Sequence, residues 1–539
     1  MRKSSDKASL ALAVALAAPA LLGPQAQAAP YPVTEKSVTQ LRADLEAGRV
    51  TSEALVRAYI ARIRAIDRAG PRLYSVIAIN PRALADARRS DAARRHHHVR
   101  GPLEGIPVLV KDNIETDDGT ATTAGSLALK DNVTHRDAPV ARRLKDAGAI
   151  ILGKTNLSEW ANIRSSQSIS GWSAVGGLVK NPYVLDRGAC GSSAGTGAVI
   201  AASLAAVGVG TETDGSVTCP SSINGLVGLK PTVGLVSRTH IVPISHSQDT
   251  AGPMGRSVED VAFLLTAMAG ADPADSATKD ADAHRTDYAA ALAKADLKGK
   301  RLGVLTYATG FSPAVDLVFA EAVAVLKARG AEIVEIKDYK PPADLSAKEF
   351  LVLGTELKAD LNAYLASTPA TVKTRTLADL IAFNASTPRE LVLFGQDTFV
   401  LAEQAKGLDD PAYLAARAEA QREAGPEGID KLLADNHLVA LIAPSYGPAA
   451  RIDVTGDGSI GGGASTLPAV SGYPHLTVPM GQVDGLPVGL SFIGPAWSEA
   501  RLLALGHAYE QASHARKPPT YIPSLEATPA TKAAFAPVR

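Results

Sequence analysis

The chain is poor in the features that would place it quickly. Of its 539 residues only two are cysteine, Cys190 and Cys219, so one disulfide is the most it can form within itself. Lys+Arg and Asp+Glu number 55 each, for a formal net charge of zero. A balanced surface carries no electrostatic footprint for nucleic acid or for an anionic membrane. The nearest approach to a basic patch, "ARRHHHVRG" at 93–101, lacks metal-ligand spacing and a second ligand cluster, and reads as a solvated loop. There is no internal repeat and no low-complexity tract, which excludes a solenoid or repeat array. The Gly-x-Ser-x-Gly nucleophile elbow is missing around Ser216 as well.

What is present begins at the N-terminus. Arg2, Lys3 and Lys7 precede an apolar run from Leu10 to Leu22, and "AQA" follows at 26–28. That order is the pattern of a secretory signal peptide over residues 1–28, with cleavage before Ala29. The run is too short to remain as a helix spanning roughly 30 Å of hydrocarbon. The expectation is a periplasmic or secreted protein of residues 29–539, with no membrane contact after cleavage and monomeric by default. At 46% hydrophobic and 20% charged residues, the remainder can bury a large core. Export makes a Cys190–Cys219 bridge possible. Two buried thiols acting as small apolar residues are the other reading.

Along the chain the pattern is α/β. Residues 35–68 have helical spacing broken at "GRVTS", with Thr51 or Ser52 as N-cap. "RLYSVIAIN" reads as a strand and 83–99 as a charged exposed helix. "IPVLV" is a continuous apolar run bounded by Gly and Pro, the mark of a buried strand, and Lys111 follows it directly. A helix at 138–147 and the strand "AIILGKTN" continue the alternation. "SSAGTGAVIAASLAA" reads as a buried helix of very small residues. Residues 270–290 are polar and aperiodic, a surface loop or inter-lobe link. "KRLGVLTY" opens a second strand-and-helix series, 345–440 is mostly helical, and "LVALIAPSYG", "LTVPMG" and "GLPVGLSFIG" return to strands.

The chemistry concentrates at 190–220, "CGSSAGTGAVIAASLAAVGVGTETDGSVTCP". Ser216 follows the apolar "AAVGVG" on a loop leaving a strand, and Gly215 allows backbone conformations closed to other residues. Such a loop can aim the backbone N–H groups of Thr213, Asp214, Gly215 and Ser216 at one point, an oxyanion hole worth about 3 kcal/mol per donor. A lone "DGS" is otherwise an ordinary turn. A serine needs a base, and no His, Lys or Arg lies between Ser192 and Ser216. His240 and His246 are downstream candidates. Lys111, at the end of a buried strand, is another: desolvation lowers a lysine pKa and can leave a free amine near neutrality. Ser192 could then relay a proton from Ser216 to Lys111.

Taken together these segments resemble the amidase signature family. The long stretch "GSSAGTGAVIAASLAAVGVGTETDGSVTCPSSINGLVGLKPT" resembles its serine-rich signature and "GIPVLVKDN" its lysine motif. The likeness runs on through "LGKTNLSEWAN", "SQDTAGPMGRSVED", "YPHLTVPMG" and "LPVGLSFIGPAWSE", leaving 290–440 as the least diagnostic part. The resemblance implies a Ser–cisSer–Lys triad: Ser216 as nucleophile, Ser192 as bridging serine after a cis peptide bond, Lys111 as base. Gly191 and Ser193 would support the relay, Ser193 either by holding it in place or by capping the helix that follows. It implies an α/β amidase-signature fold in a single domain over 29–539, with a large twisted mixed β-sheet core surrounded by α-helices, the signature core at about 100–260 and a variable helical part at about 290–440. No metal and no cofactor is implied.

The sequence departs from the family's commonest loop, which reads Gly-Gly-Ser, then an apolar residue and arginine. Here it is "DGSVTCP", and a carboxylate at Asp214 would oppose an oxyanion unless it points away. "GTETDGS" and "GKTNLSEWAN" resemble the bacterial peptide amidases of the family, which hydrolyse the C-terminal carboxamide of peptides to acid and ammonia. The expected partner is therefore a small-molecule or peptide amide, not nucleic acid. An aryl-acylamide or fatty-acid amide hydrolase keeps the chemistry and changes the substrate, and the absence of a docking helix argues against lipid. A tRNA-linked glutaminase subunit fits export poorly. A non-catalytic binding protein would have no need of all three triad positions.

Overall fold

The computed structural model describes residues 31–454, 460–529 and 531–532, so the expected signal peptide over 1–28 lies outside the described residues. Eleven strands form one mixed sheet. In chain order they are β1 (Val76–Ile79), β2 (Pro107–Lys111), β3 (Ile150–Thr155), β4 (Val207–Glu212), β5 (Val227–Lys230), β6 (Thr250–Gly255), β7 (Arg301–Leu305), β8 (Glu332–Ile336), β9 (Ala440–Pro444), β10 (His475–Val483) and β11 (Leu486–Ile493). In space they run β1-β3-β2-β4-β6-β5-β10-β11-β9-β7-β8. The run β3-β2-β4 is parallel, as is β9-β7-β8, and the remaining pairings are antiparallel. Helices surround this sheet, which is the α/β architecture expected.

Most expected elements are found where the patterns put them. Helices Val38–Glu46 and Ser52–Arg62 flank the predicted break, and Thr51 caps the second through its hydroxyl to Ala54 N–H. β2, β3 and β4 are buried along their whole length, which explains their unbroken apolar runs: strands covered on both faces need no polar alternation. Lys111 is the last residue of β2 rather than the residue after it.

Two stretches differ. The small-residue helix covers only Ala194–Ala201, because the chain leaves αR at Ser203 with φ 54°. Every residue of that helix is buried against β2, β3, β4 and β6. Residues 270–290 are not one loop: they carry short helices at Ser276–Asp280, Ala281–His284 and Tyr288–Ala291. Asp275 and Asp287 start two of these turns by accepting backbone N–H groups, and buried Tyr288 docks the segment against helix Val258–Met268. Local capping chemistry there supplies what periodicity did not.

The topology decides where chemistry can occur. β2 and β4 are parallel neighbours, so Lys111 and Glu212 emerge at the same edge of the sheet. β6 enters antiparallel with Thr250 opposite Glu212, which brings Asp249 to that edge too.

Candidate active site

Ser192 and Ser216 reach this edge from the two helices that pack on it. Ser192 precedes helix Ala194–Ala201 and follows a cis Gly191–Ser192 peptide. Gly191 has no room for a side chain, since a Cβ there would lie 2.1 Å from Ser158 Oγ. Ser216 sits between β4 and helix Thr218–Ile223, on a turn where Gly215 adopts φ +76°. The backbones of the two serine segments meet: Ser193 N–H donates to the Ser216 carbonyl at 3.1 Å. A Cys190–Cys219 disulfide, with Cα atoms 6.1 Å apart, joins them a second time. Of the two readings of the cysteines, the bridge is the one found.

Lys111 closes the cluster. Its Nζ donates to Ser192 Oγ at 2.7 Å, to Thr211 Oγ1 at 2.8 Å and to the Thr211 carbonyl at 3.2 Å. Lys111 and Ser192 are both 0% exposed. Burial drives the lysine pKa from 10.5 down to about 7, against the pull of Asp249 and Glu212 in the other direction. A free amine in hydrogen-bond contact with a hydroxyl can take its proton. Ser216 keeps 8% exposure, against 0% for Lys111 and Ser192.

Ser193 stands at the N-cap of helix Ala194–Ala201, but its hydroxyl does not cap it. Instead that hydroxyl donates to the Thr211 carbonyl at 3.1 Å and accepts Thr211 N–H at 3.2 Å. The Ser193 hydroxyl thus braces the residue that also accepts from Lys111.

The oxyanion loop differs from the expectation at one donor. Gly215 N–H donates to Glu212 Oε1 at 3.0 Å and is already engaged, leaving Thr213, Asp214 and Ser216 as the loop's candidates. Glu212 Oε2 also accepts Val217 N–H at 2.7 Å and Thr218 N–H at 2.9 Å. One buried carboxylate therefore shapes the turn on both sides of Ser216. Asp214 accepts from Thr466 Oγ1 at 3.1 Å. Its burial raises its pKa, which lessens the opposition to a developing oxyanion.

Among the described residues, no hydrogen bond joins either histidine to Ser216. His246 Nδ1 lies 2.9 Å from Asp360 Oδ2 and its Nε2 3.2 Å from Glu356 Oε1, so both ring nitrogens face carboxylates. His240 lines a cavity of about 440 Å³ with Arg238, Tyr364 and Asp360. That cavity reaches Asn113, Thr213, Asp249 and Thr211, the last of which accepts from Lys111. Glu212, Asp249, Thr211 and Asn113 had not been singled out from the sequence. Their signal was only adjacency, Glu212 and Thr211 within "GTETDGS", Asn113 two residues past Lys111, Asp249 within "SQDTAGPM".

Comparisons with known proteins identify the family. The family model described as Amidase matches residues 54–503. A probable amidase of Arabidopsis thaliana is 38% identical over 500 residues, covering 91% of this chain and 93% of its own. The native peptide amidase of Stenotrophomonas maltophilia superposes with a TM-score of 0.85 at 49% identity, over 91% of this chain and all of its own. A peptide amidase in complex with the competitive inhibitor chymostatin gives 0.86 at 50% identity, over the same shares. The chain belongs to the amidase family, the amidase signature enzymes, and is itself an amidase acting on C–N bonds.

Proposed function

We propose that this protein hydrolyses carboxamides by a Ser216–Ser192–Lys111 relay, and that its substrate is the C-terminal amide of peptides. The observation that carries the mechanism is a fully buried lysine amine 2.7 Å from Ser192 Oγ. The free amine accepts the Ser192 proton as Ser192 accepts that of Ser216. Ser216 Oγ bonds to the carbonyl carbon, and the oxyanion develops beside the N–H groups of the 213–216 loop. The proton then returns through Ser192 to the departing nitrogen, the C–N bond breaks and ammonia leaves. Water adds to the acyl-enzyme by the same relay and frees Ser216 and the carboxylic acid.

The peptide-amide reading is supported by the likeness to peptide amidases at about half identity over nine-tenths of the chain. Export, proposed from residues 1–28, would bring the enzyme to substrates outside the cytoplasm, and N-terminal sequencing of the secreted protein tests it. The deciding experiment for function is ammonia release from C-terminally amidated peptides, set against cleavage of anilides and fatty-acid amides. Peptide amides should be turned over fastest. Faster anilide cleavage would move the substrate class while leaving the relay in place. Ser216→Ala should abolish turnover and labelling by a fluorophosphonate, and retained activity would remove Ser216 from its role.

A further inference from the structure

Asp249 immediately precedes β6, with both carboxylate oxygens committed. Oδ1 accepts from Thr213 Oγ1 at 2.6 Å. Oδ2 accepts Ile244 N–H at 2.8 Å and Ser245 N–H at 2.9 Å. Thr213 belongs to the nucleophile loop. Residues 244 and 245 belong to the wall of the 440 Å³ cavity, which Asp249 also lines.

The bonds continue outward. Ser245 Oγ and Ser247 N–H donate to Glu356, and His246 pairs with Asp360, both acids lying on helix Leu345–Ala366. Asp249 is therefore the carboxylate by which this clasped wall grips the turn that carries Ser216, beside Gln248, whose Nε2 donates to the Thr213 carbonyl at 3.4 Å and to Glu349 at 2.8 Å. Glu212 grips the same turn from the other side, through the backbone N–H groups of Gly215, Val217 and Thr218 and the Thr218 hydroxyl. Neither acid takes part in the proton relay.

We propose that Asp249 is a positioning residue for the Ser216 reaction, fixing Thr213 and the oxyanion loop against the cavity wall while its negative charge acts on Lys111. The proposal rests on Ser216 as nucleophile and Lys111 as base, and not on the identity of the substrate. The second half follows from the charges present. Lys111 is faced by Asp249 just before β6 and by Glu212 at the end of β4, each favouring the ammonium. Asp249 is itself buried, which raises its own pKa to about 6, while Arg238 from the segment between β5 and β6 opposes that rise, so its charge is present where Lys111 titrates near 7. Removing the Asp249 charge leaves Lys111 with Glu212 alone, so the amine becomes free at a lower pH.

The test is the rate of Ser216 labelling by a fluorophosphonate between pH 5 and 9, on the wild type, Asp249→Asn and Thr213→Val, each checked by thermal melting. Asn keeps one acceptor oxygen and the side-chain volume. Asp249→Asn should label at least about tenfold more slowly on the alkaline plateau. Its acid limb should lie about half a pH unit or more below that of wild type. Thr213→Val should slow labelling and leave the limb in place, because the Asp249 charge remains. An Asp249→Asn plateau within about twofold of wild type, or a slowed rate with an unmoved limb, overturns the proposal. If Asp249→Asn does not fold, Thr213→Val decides: an unchanged plateau overturns it and a slowed one supports it. Failure of the underlying reading looks different, since Ser216→Ala would then label as well as the wild type.

Discussion

The pH dependence of turnover is the sharpest consequence of a dry lysine. Lys111 can accept a proton from Ser192 only as a free amine. Burial takes its pKa from 10.5 to about 7, which at about 1.4 kcal/mol per unit disfavours the ammonium by roughly 5 kcal/mol. The sign follows from the direction. A base whose folded pKa lies below its ordinary value is free above that pKa and charged below it, so activity is lost on acidification. The free fraction is nearly complete above about pH 8, about half at pH 7, and about one in a hundred at pH 5. The assay is kcat/KM for ammonia release between pH 5 and 9 at fixed ionic strength, where the slope should approach one decade per unit below the midpoint. Lys111→Arg is the control. Its guanidinium keeps donors toward Ser192 and Thr211 but stays charged throughout, so no pH should restore turnover. A rate that is flat down to pH 5, or an active arginine variant, refutes the argument.

Two further outcomes follow from the same cluster. Glu212→Gln should lower kcat by about tenfold or more with little change in KM, because the amide NH2 would face the backbone N–H groups that the carboxylate accepts and leave at least one without a partner, at about 1–3 kcal/mol. Kinetics and a denaturation midpoint measured on one preparation check it, and a variant with native kcat would mean that the loop holds its shape without Glu212. Reduction or Cys219→Ser should cost about 3–4 kcal/mol of unfolding free energy, from a cross-link closing a loop over a sequence separation of 29 in the chain-entropy treatment. Urea unfolding with and without reductant measures it, and coincident curves would show that packing alone holds the two serine segments together.

The sheet was legible because its central strands are buried on both faces. Continuous apolar runs at 106–110, 150–153 and 207–209 have few other physical uses, and they fell on β2, β3 and β4. The segment 270–290 was not legible, because short turns started by Asp275 and Asp287 bury too little to leave a period in the sequence. The disulfide could not be decided from spacing, since it depends on two loops meeting at the sheet edge. Asp249 was hidden for the same reason: β6 must run antiparallel to β4 before residues 212 and 249 become neighbours.

The base shows most clearly where local reading stops. Three lysines, Lys111, Lys154 and Lys230, lie in or at the end of apolar strands, and all three are fully buried. Burial lowers the pKa of each. Desolvation therefore cannot single out the catalytic one, and neither could any argument from strand-end placement. Their partners differ. Lys154 donates to the Ile114 carbonyl and Thr122 Oγ1, and Lys230 to the Pro231 carbonyl. A carbonyl has no proton to surrender, so a free amine at Lys230 has nothing to deprotonate. Lys154 has a hydroxyl partner, but that of Thr122 donates in turn to the Ile114 carbonyl at 3.4 Å, whereas Ser192 adjoins Ser193, whose N–H meets the Ser216 carbonyl. Only at Lys111 does a lowered pKa meet a hydroxyl that lies one residue from the backbone contact with the nucleophile loop. A buried lysine becomes a base through what it touches, and the parallel pairing of β2 with β4 supplies that contact.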